Sequence, residues 1–162
     1  RTFAFTDIVD STKLAAILGD EAWERVIGWH DGAIRSVVAE HAGEVVKATG
    51  DGFFLAFERP DQAIDAAVAI QRRFDEQRRT QGFAPAVRIG LHEAEAGRSG
   101  LDYVGGGVNA AARIGGAANG GEVLVSASTL ARVRSSPREV GRRSVELKGI
   151  EGPVDVVALD WR

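Results

Sequence analysis

The chain has 162 residues, 44% of them hydrophobic, which suits one domain around a single core. A net charge of −3 lacks the basic footprint of a nucleic-acid binder, and the absence of cysteine excludes disulfides, thiolate chemistry and zinc–thiolate sites. No apolar run is long enough to span a bilayer and no signal peptide is visible, so the expectation is a cytoplasmic segment without membrane contact. Methionine is missing even at position 1, which predicts one domain over 1–162 cut from a longer protein, with regulatory domains elsewhere.

Residues 2–9 read as a short buried strand, after which Asp10, Ser11 and Thr12 offer helix N-cap chemistry. From Asp20 to about His41 the residues Trp23, Val26, Ile27, His30, Ile34 and Val37 recur every three or four positions, the mark of an amphipathic helix. His30 and His41 fall on its packed face and read as structural, and the three histidines have no metal-ligand spacing. Glu44–Lys47 and Phe53–Phe57 are strands joined across Gly50-Asp51-Gly52, a turn that glycine favours. Pro60 and Asp61 start a second long helix with Ala63, Ile64, Ala67, Ile70 and Phe74 on its apolar face. Val87–His92 is a strand, Gly97–Gly107 a glycine-rich loop, and Val108–Ile114 a short helix. Glu122–Val125 is a strand, Ser126–Val133 a short helix, and Ser144–Leu147 with Val154–Leu159 a closing antiparallel pair. This order predicts an α+β domain in which two long helices share one face of a mostly antiparallel sheet.

Lysine is scarce, three against seventeen arginines, yet two of the three sit in glycine-flanked motifs, Lys47-Ala48-Thr49-Gly50-Asp51-Gly52 and Glu146-Leu147-Lys148-Gly149. A compact ammonium is not interchangeable with a planar guanidinium, so the choice carries information. Asp7 ends a buried strand, where a carboxylate is costly unless paired, and Asp51 sits at a hairpin tip. If the first strand adjoins that hairpin, the two carboxylates converge at one edge and suit Mg²⁺ or Mn²⁺, which take oxygen ligands. Taken alone, each is equally an ordinary cap or turn residue. Asn109 and Arg113 lie four apart on one helix face behind a glycine-rich loop, which suits ribose and phosphates, although a plain surface helix has the same spacing. A lysine donating to adenine N1 and an aspartate accepting from N6, roles open to Lys47 and Asp102, would reject guanine, whose edge reverses both polarities.

Together these segments resemble the catalytic domain of the class III adenylyl cyclases, over nearly the whole chain. Phe5-Thr6-Asp7-Ile8-Val9 resembles the first metal motif and Lys47-x-x-Gly50-Asp51-Gly52 the second. Asp102, Asn109 and Arg113 match the family's spacing for base, ribose and transition-state groups, and Lys148 matches its triphosphate lysine. The resemblance implies the ferredoxin-like cyclase fold and conversion of ATP to cyclic AMP and pyrophosphate. It implies two divalent ions, Mg²⁺ or Mn²⁺, on Asp7, Asp51 and the Ile8 carbonyl. Lys47 and Asp102 would select adenine, Asn109 would place the ribose, Arg113 would meet charge at the α-phosphate, and Lys148 would contact the β- and γ-phosphates. It also implies a homodimer with composite sites, because the family draws the metal aspartates and the Lys-Asp-Asn-Arg group from different subunits.

Two positions depart from the family's pattern. Asp10 stands where glycine is frequent and is expected to cap the following helix, and Ala94 replaces another frequent glycine. The rivals are a silent ATP-binding sensor, which would be expected to lose a metal aspartate or Arg113, and a ferredoxin-like RNA binder, which needs strand aromatics and basic flanks. A guanylyl cyclase would normally change Lys47 and Asp102, and a diguanylate cyclase needs an acidic signature that is absent.

Overall fold

A computed structural model describes residues 1–162. The chain runs β1 (Thr2–Ile8), α1 (Ser11–Leu18), α2 (Asp20–Glu40), β2 (Glu44–Thr49), β3 (Gly52–Phe57) and α3 (Pro60–Gln81). It continues through β4 (Val87–Glu93), β5 (Gly97–Ser99), β6 (Asp102–Val104), α4 (Gly106–Ala117), β7 (Val123–Ser126), α5 (Ala127–Leu130), β8 (Glu139–Glu146) and β9 (Pro153–Leu159). Seven strands form one sheet in the order β2-β3-β1-β4-β7-β9-β8, and β5 with β6 form a separate hairpin. Every pair in the large sheet is antiparallel except β4–β7. The first four strands have the ferredoxin-like order, with helical crossovers between β1 and β2 and between β3 and β4. No helix is long and apolar enough to cross a membrane.

The period-2 alternation of the strands divides the core into two layers. On one face Ala4, Ile8, Phe53, Leu55, Ile89 and Leu91 meet α2 and α3 through Ile34, Val37, Ile64, Ile70 and Phe74. The two long helices do share this face. On the other face Phe3, Phe54 and Ala56 pack beneath Tyr103 of the hairpin and beneath Val108 and Ala111 of α4. Farther along, Ile114 and Ala118 pack with Leu124, Leu147 and Val156. His30 is buried among Phe53 and Phe74, and His41 bonds the Val37 carbonyl, so both are structural as expected.

Two expectations are corrected. The segment Gly97–Gly107 is not a loop: it holds the β5–β6 hairpin and the first turn of α4. Strands of three residues are too short for periodicity to reveal, and β5 is exposed throughout. Asp10 does not cap α1 with its side chain. It adopts the left-handed conformation (φ 55°, ψ 36°), makes no side-chain cap bond, and turns the chain into the helix by backbone alone. Its carbonyl accepts the Leu14 N–H at 2.9 Å.

The contact between α4 and the sheet is set by glycine. A Cβ built on Gly90 of β4 would lie 2.1 Å from the Gly115 nitrogen, and one on Gly115 would lie 3.3 Å from the Phe5 carbonyl oxygen. Gly90→Ala must therefore lift α4 from the sheet. The expected destabilisation is about 1–3 kcal/mol, the usual cost of overpacking, read as a lower urea midpoint at unchanged slope.

Candidate active site

The motif residues gather on the α4 face of the sheet. Lys47 reaches that face because β2 carries a bulge: Glu44 opposes Ala56 and Val45 opposes Leu55, but Lys47 rather than Val46 opposes Phe54. A bulge adds one residue and re-aims those beyond it. Lys47 Nζ then donates to Asp102 Oδ2 at 2.8 Å, closing a pair 55 residues apart in sequence. The other oxygen, Asp102 Oδ1, accepts the Tyr103 backbone N–H at 2.8 Å. Donation by Lys47, aided by that N–H, holds the Asp102 carboxyl below the ordinary aspartate range.

Asp7 also lies on this face, opposite Arg88 of β4, whose guanidinium donates to Asp7 Oδ2 at 3.0 Å. The partner that a strand-end carboxylate requires is therefore an arginine of the neighbouring strand. Sequence reasoning missed Arg88. The signal was its placement between Val87 and Ile89, which points it away from the α2–α3 core toward the same face as Gly90. Asp51 sits in the β2–β3 turn and accepts the Ser11 hydroxyl from the first turn of α1. That turn is pressed on β1, since a Cβ on Gly52 would fall 1.7 Å from the Thr6 carbonyl oxygen and 3.0 Å from Asp7 Cα. Asp7, Ile8 and Asp51 thus share the corner where β1 ends and α1 begins.

Asn109 and Arg113 are exposed on α4, one turn apart. The buried residues of this helix explain its course. Val108 and Ala111 pack with Tyr103, next to Asp102, whereas Ile114 packs with Leu147, next to the exposed Lys148. Running along α4, Asn109 and Arg113 lie between the Lys47–Asp102 pair and Lys148. A cleft of about 260 Å³ opens at the root of the helix, lined by Asp7, Thr49, Arg88, Ala112, Gly115 and Gly116 among others. A larger cavity, about 870 Å³, lies along α3 and residues Ser135–Arg138 and contains none of the motif residues.

The model of the adenylate and guanylate cyclase catalytic domain matches residues 2–160. The chain belongs to this family. A receptor-type adenylate cyclase of Trypanosoma congolense is 30% identical over an alignment that covers 98% of this chain and 27% of that protein. A receptor-type adenylate cyclase of Trypanosoma brucei brucei is 26% identical, covering 98% of this chain and 36% of that protein. The chain thus spans between 27% and 36% of the length of these curated relatives. Among solved structures, a Trypanosoma brucei adenylate cyclase in its monomeric state superposes with a TM-score of 0.84 at 25% identity, covering 99% of this chain and 89% of that one. The guanylyl cyclase Cya2 superposes with a TM-score of 0.85 at 22% identity, covering 98% and 90%, a likeness of fold. Adenylyl and guanylyl cyclases share this architecture, so base choice in the present cyclase domain has to be argued from side chains.

The lowered Asp102 pKa supplies a check on the pair. In Lys47→Ala the Asp102 carboxyl is expected to titrate higher, closer to the ordinary aspartate range, in a carboxyl-detected NMR titration. The sign follows from the depressed value: the contact stabilises the folded chain above the unfolded pKa, and this is lost as pH falls through the folded one.

Proposed function

We propose that the domain is an adenylyl cyclase, joining the ribose 3′-oxygen of ATP to its α-phosphorus and releasing pyrophosphate. The observation that carries this reading is the Lys47–Asp102 pair, a donor and an acceptor held 2.8 Å apart on the open face. Lys47 would donate to adenine N1 and Asp102 would accept from the N6 amino group. On guanine both would face a group of their own polarity, leaving polar atoms unpaired. Asn109 would orient the ribose, Arg113 would bind the charge that develops at the α-phosphate, and Lys148 would hold the β- and γ-phosphates.

The donors at the β1–α1 corner fit hard divalent cations. Asp7, Asp51 and the Ile8 carbonyl offer oxygen alone, which Mg²⁺ and Mn²⁺ prefer, and the Asp7 side chain is 43% exposed, with only Oδ2 engaged by Arg88. Two such ions, when bound, would supply Lewis-acid activation of the 3′-hydroxyl and offset phosphate charge. No side chain of the motifs is placed as a general base, so orientation by Asn109 and charge stabilisation by Arg113 and Lys148 must supply much of the rate.

The proposal extends to a homodimer with two composite sites, in which one subunit gives Asp7 and Asp51 and the other gives Lys47, Asp102, Asn109 and Arg113. In support, the cleft beside Asp7 holds about 260 Å³, below the roughly 300–1,000 Å³ of ordinary ligand pockets, so a second surface is needed to enclose a nucleotide.

The decisive assay separates products from ATP and from GTP, in Mg²⁺ and in Mn²⁺, across protein concentrations. The expected outcome is cyclic AMP from ATP, rising faster than linearly with protein. Tight ATP binding with no cyclic product would replace this reading with a silent sensor. Arg113→Ala is expected to lower kcat about 100- to 1,000-fold, the scale for losing one donor to developing charge. Mixing Asp7→Ala with Asn109→Ala chains should restore activity at one of the two sites of each mixed dimer, and no recovery would exclude shared sites.

A further inference from the structure

The bulge in β2 has a second effect besides aiming Lys47. In a regular strand residues three apart point to opposite faces. Here Glu44 opposes Ala56 and Lys47 opposes Phe54, two residues of one face of β3, so both charges look toward the β5–β6 hairpin. Each then meets a residue of that hairpin. Lys47 pairs with Asp102 at 2.8 Å, and Glu44 Oε1 accepts from Arg98 at 3.4 Å.

Arg98 does more than close an ion pair. Its Nε donates to the Gly100 carbonyl at 3.2 Å, bracing the turn before Asp102, and a second nitrogen donates to the Tyr103 hydroxyl. Its guanidinium also lies 4.5 Å from the centroid of the Tyr103 ring. Tyr103 is 5% exposed, packs against Phe3 at 5.2 Å between centroids, and directs its backbone N–H to Asp102. One planar fork thus touches β2, the hairpin turn and the residue that aims Asp102. A half-exposed ion pair adds little to stability on its own. A fork fixed at several points defines direction instead.

We propose that Arg98 and Glu44 are positioning residues for base selection: they clamp the hairpin to β2 so that Asp102 stands opposite Lys47. The proposal rests on the reading of Lys47 and Asp102 as the base-recognising pair, and neither Arg98 nor Glu44 touches the nucleotide. The clamp keeps donor and acceptor side by side on one edge, and their opposite polarities are what separate an adenine edge from a guanine edge. Loosening it leaves the chemistry at the α-phosphate intact and degrades discrimination.

The test compares Arg98→Ala, Arg98→Lys and Glu44→Gln with the unaltered chain. For ATP the expected result in Arg98→Ala is a KM raised about tenfold with kcat within about twofold, and an ATP-over-GTP ratio of kcat/KM lowered about tenfold. Arg98→Lys keeps a charge for Glu44 but loses the fork, and is expected to recover only part of the ratio. A carboxyl-detected NMR titration of Asp102, which needs no turnover, is expected to move upward in Arg98→Ala as the Lys47 contact loosens. If Asp102 titrates unchanged in a folded Arg98→Ala chain, or if kcat alone falls, the clamp is refuted. If Arg98→Ala does not fold, the surface variant Glu44→Gln carries the same comparison: a raised KM and lowered ratio support the clamp and unchanged values refute it. A chain without cyclic product from either nucleotide defeats the cyclase reading, whereas the Asp102 titration still decides the clamp.

Discussion

The closeness of α4 to the sheet sets where Asn109 and Arg113 stand above the strands. Gly90 and Gly115 permit that closeness by having no side chains to separate the two backbones. With the helix so low, its apolar positions reach Phe54 and Tyr103 at one end and Leu147 at the other. Asn109 and Arg113 of the same helix stand in solvent. An added methyl group at the crossing would move the whole polar row relative to the strands that carry the acids. Packing and chemistry are therefore coupled through one small contact.

Charge is arranged in opposed pairs across elements rather than in a single patch. Asp7 faces Arg88, Asp102 faces Lys47, and Glu44 faces Arg98, each bringing together residues distant in sequence. Taking a carboxylate out of water without a partner is costly, and pairing lowers that cost. Each of these carboxylates is also partly exposed.

Much of this was legible in the sequence because long-period patterns report packing. The apolar spacing of α2 and α3, Pro60 at the start of α3, and the glycines around Asp51 located the main elements and the acidic turn. Lys47 and Asp102, singled out by their resemblance to the cyclase motifs, do meet in the fold. What stayed hidden depends on contacts between distant segments. The β2 bulge is invisible in Glu44-Val45-Val46-Lys47, since only pairing with β3 shows that one residue is extra. The hairpin was missed because its strands have three residues each. Asp10 looks like a cap by residue type, but its left-handed backbone removes the carboxylate from the helix amides. Ser11, also read as cap chemistry, spends its hydroxyl on Asp51.

The single parallel pair in the sheet, β4–β7, has a further meaning. Antiparallel neighbours can be joined by two residues, but parallel ones need a crossover of a dozen or more. Here that obligatory detour is the span between Glu93 and Val123, and it carries both the β5–β6 hairpin and α4. The hairpin makes no strand pairing with the large sheet. Side chains hold it instead, Tyr103 on Phe3 and the ion pairs of Arg98 and Asp102 with β2, while α4 is held by its glycine crossing. The one parallel step of the sheet is thus what carries both the hairpin and α4 over the same strands, where Tyr103, Val108 and Ala111 cover Phe3 and Phe54.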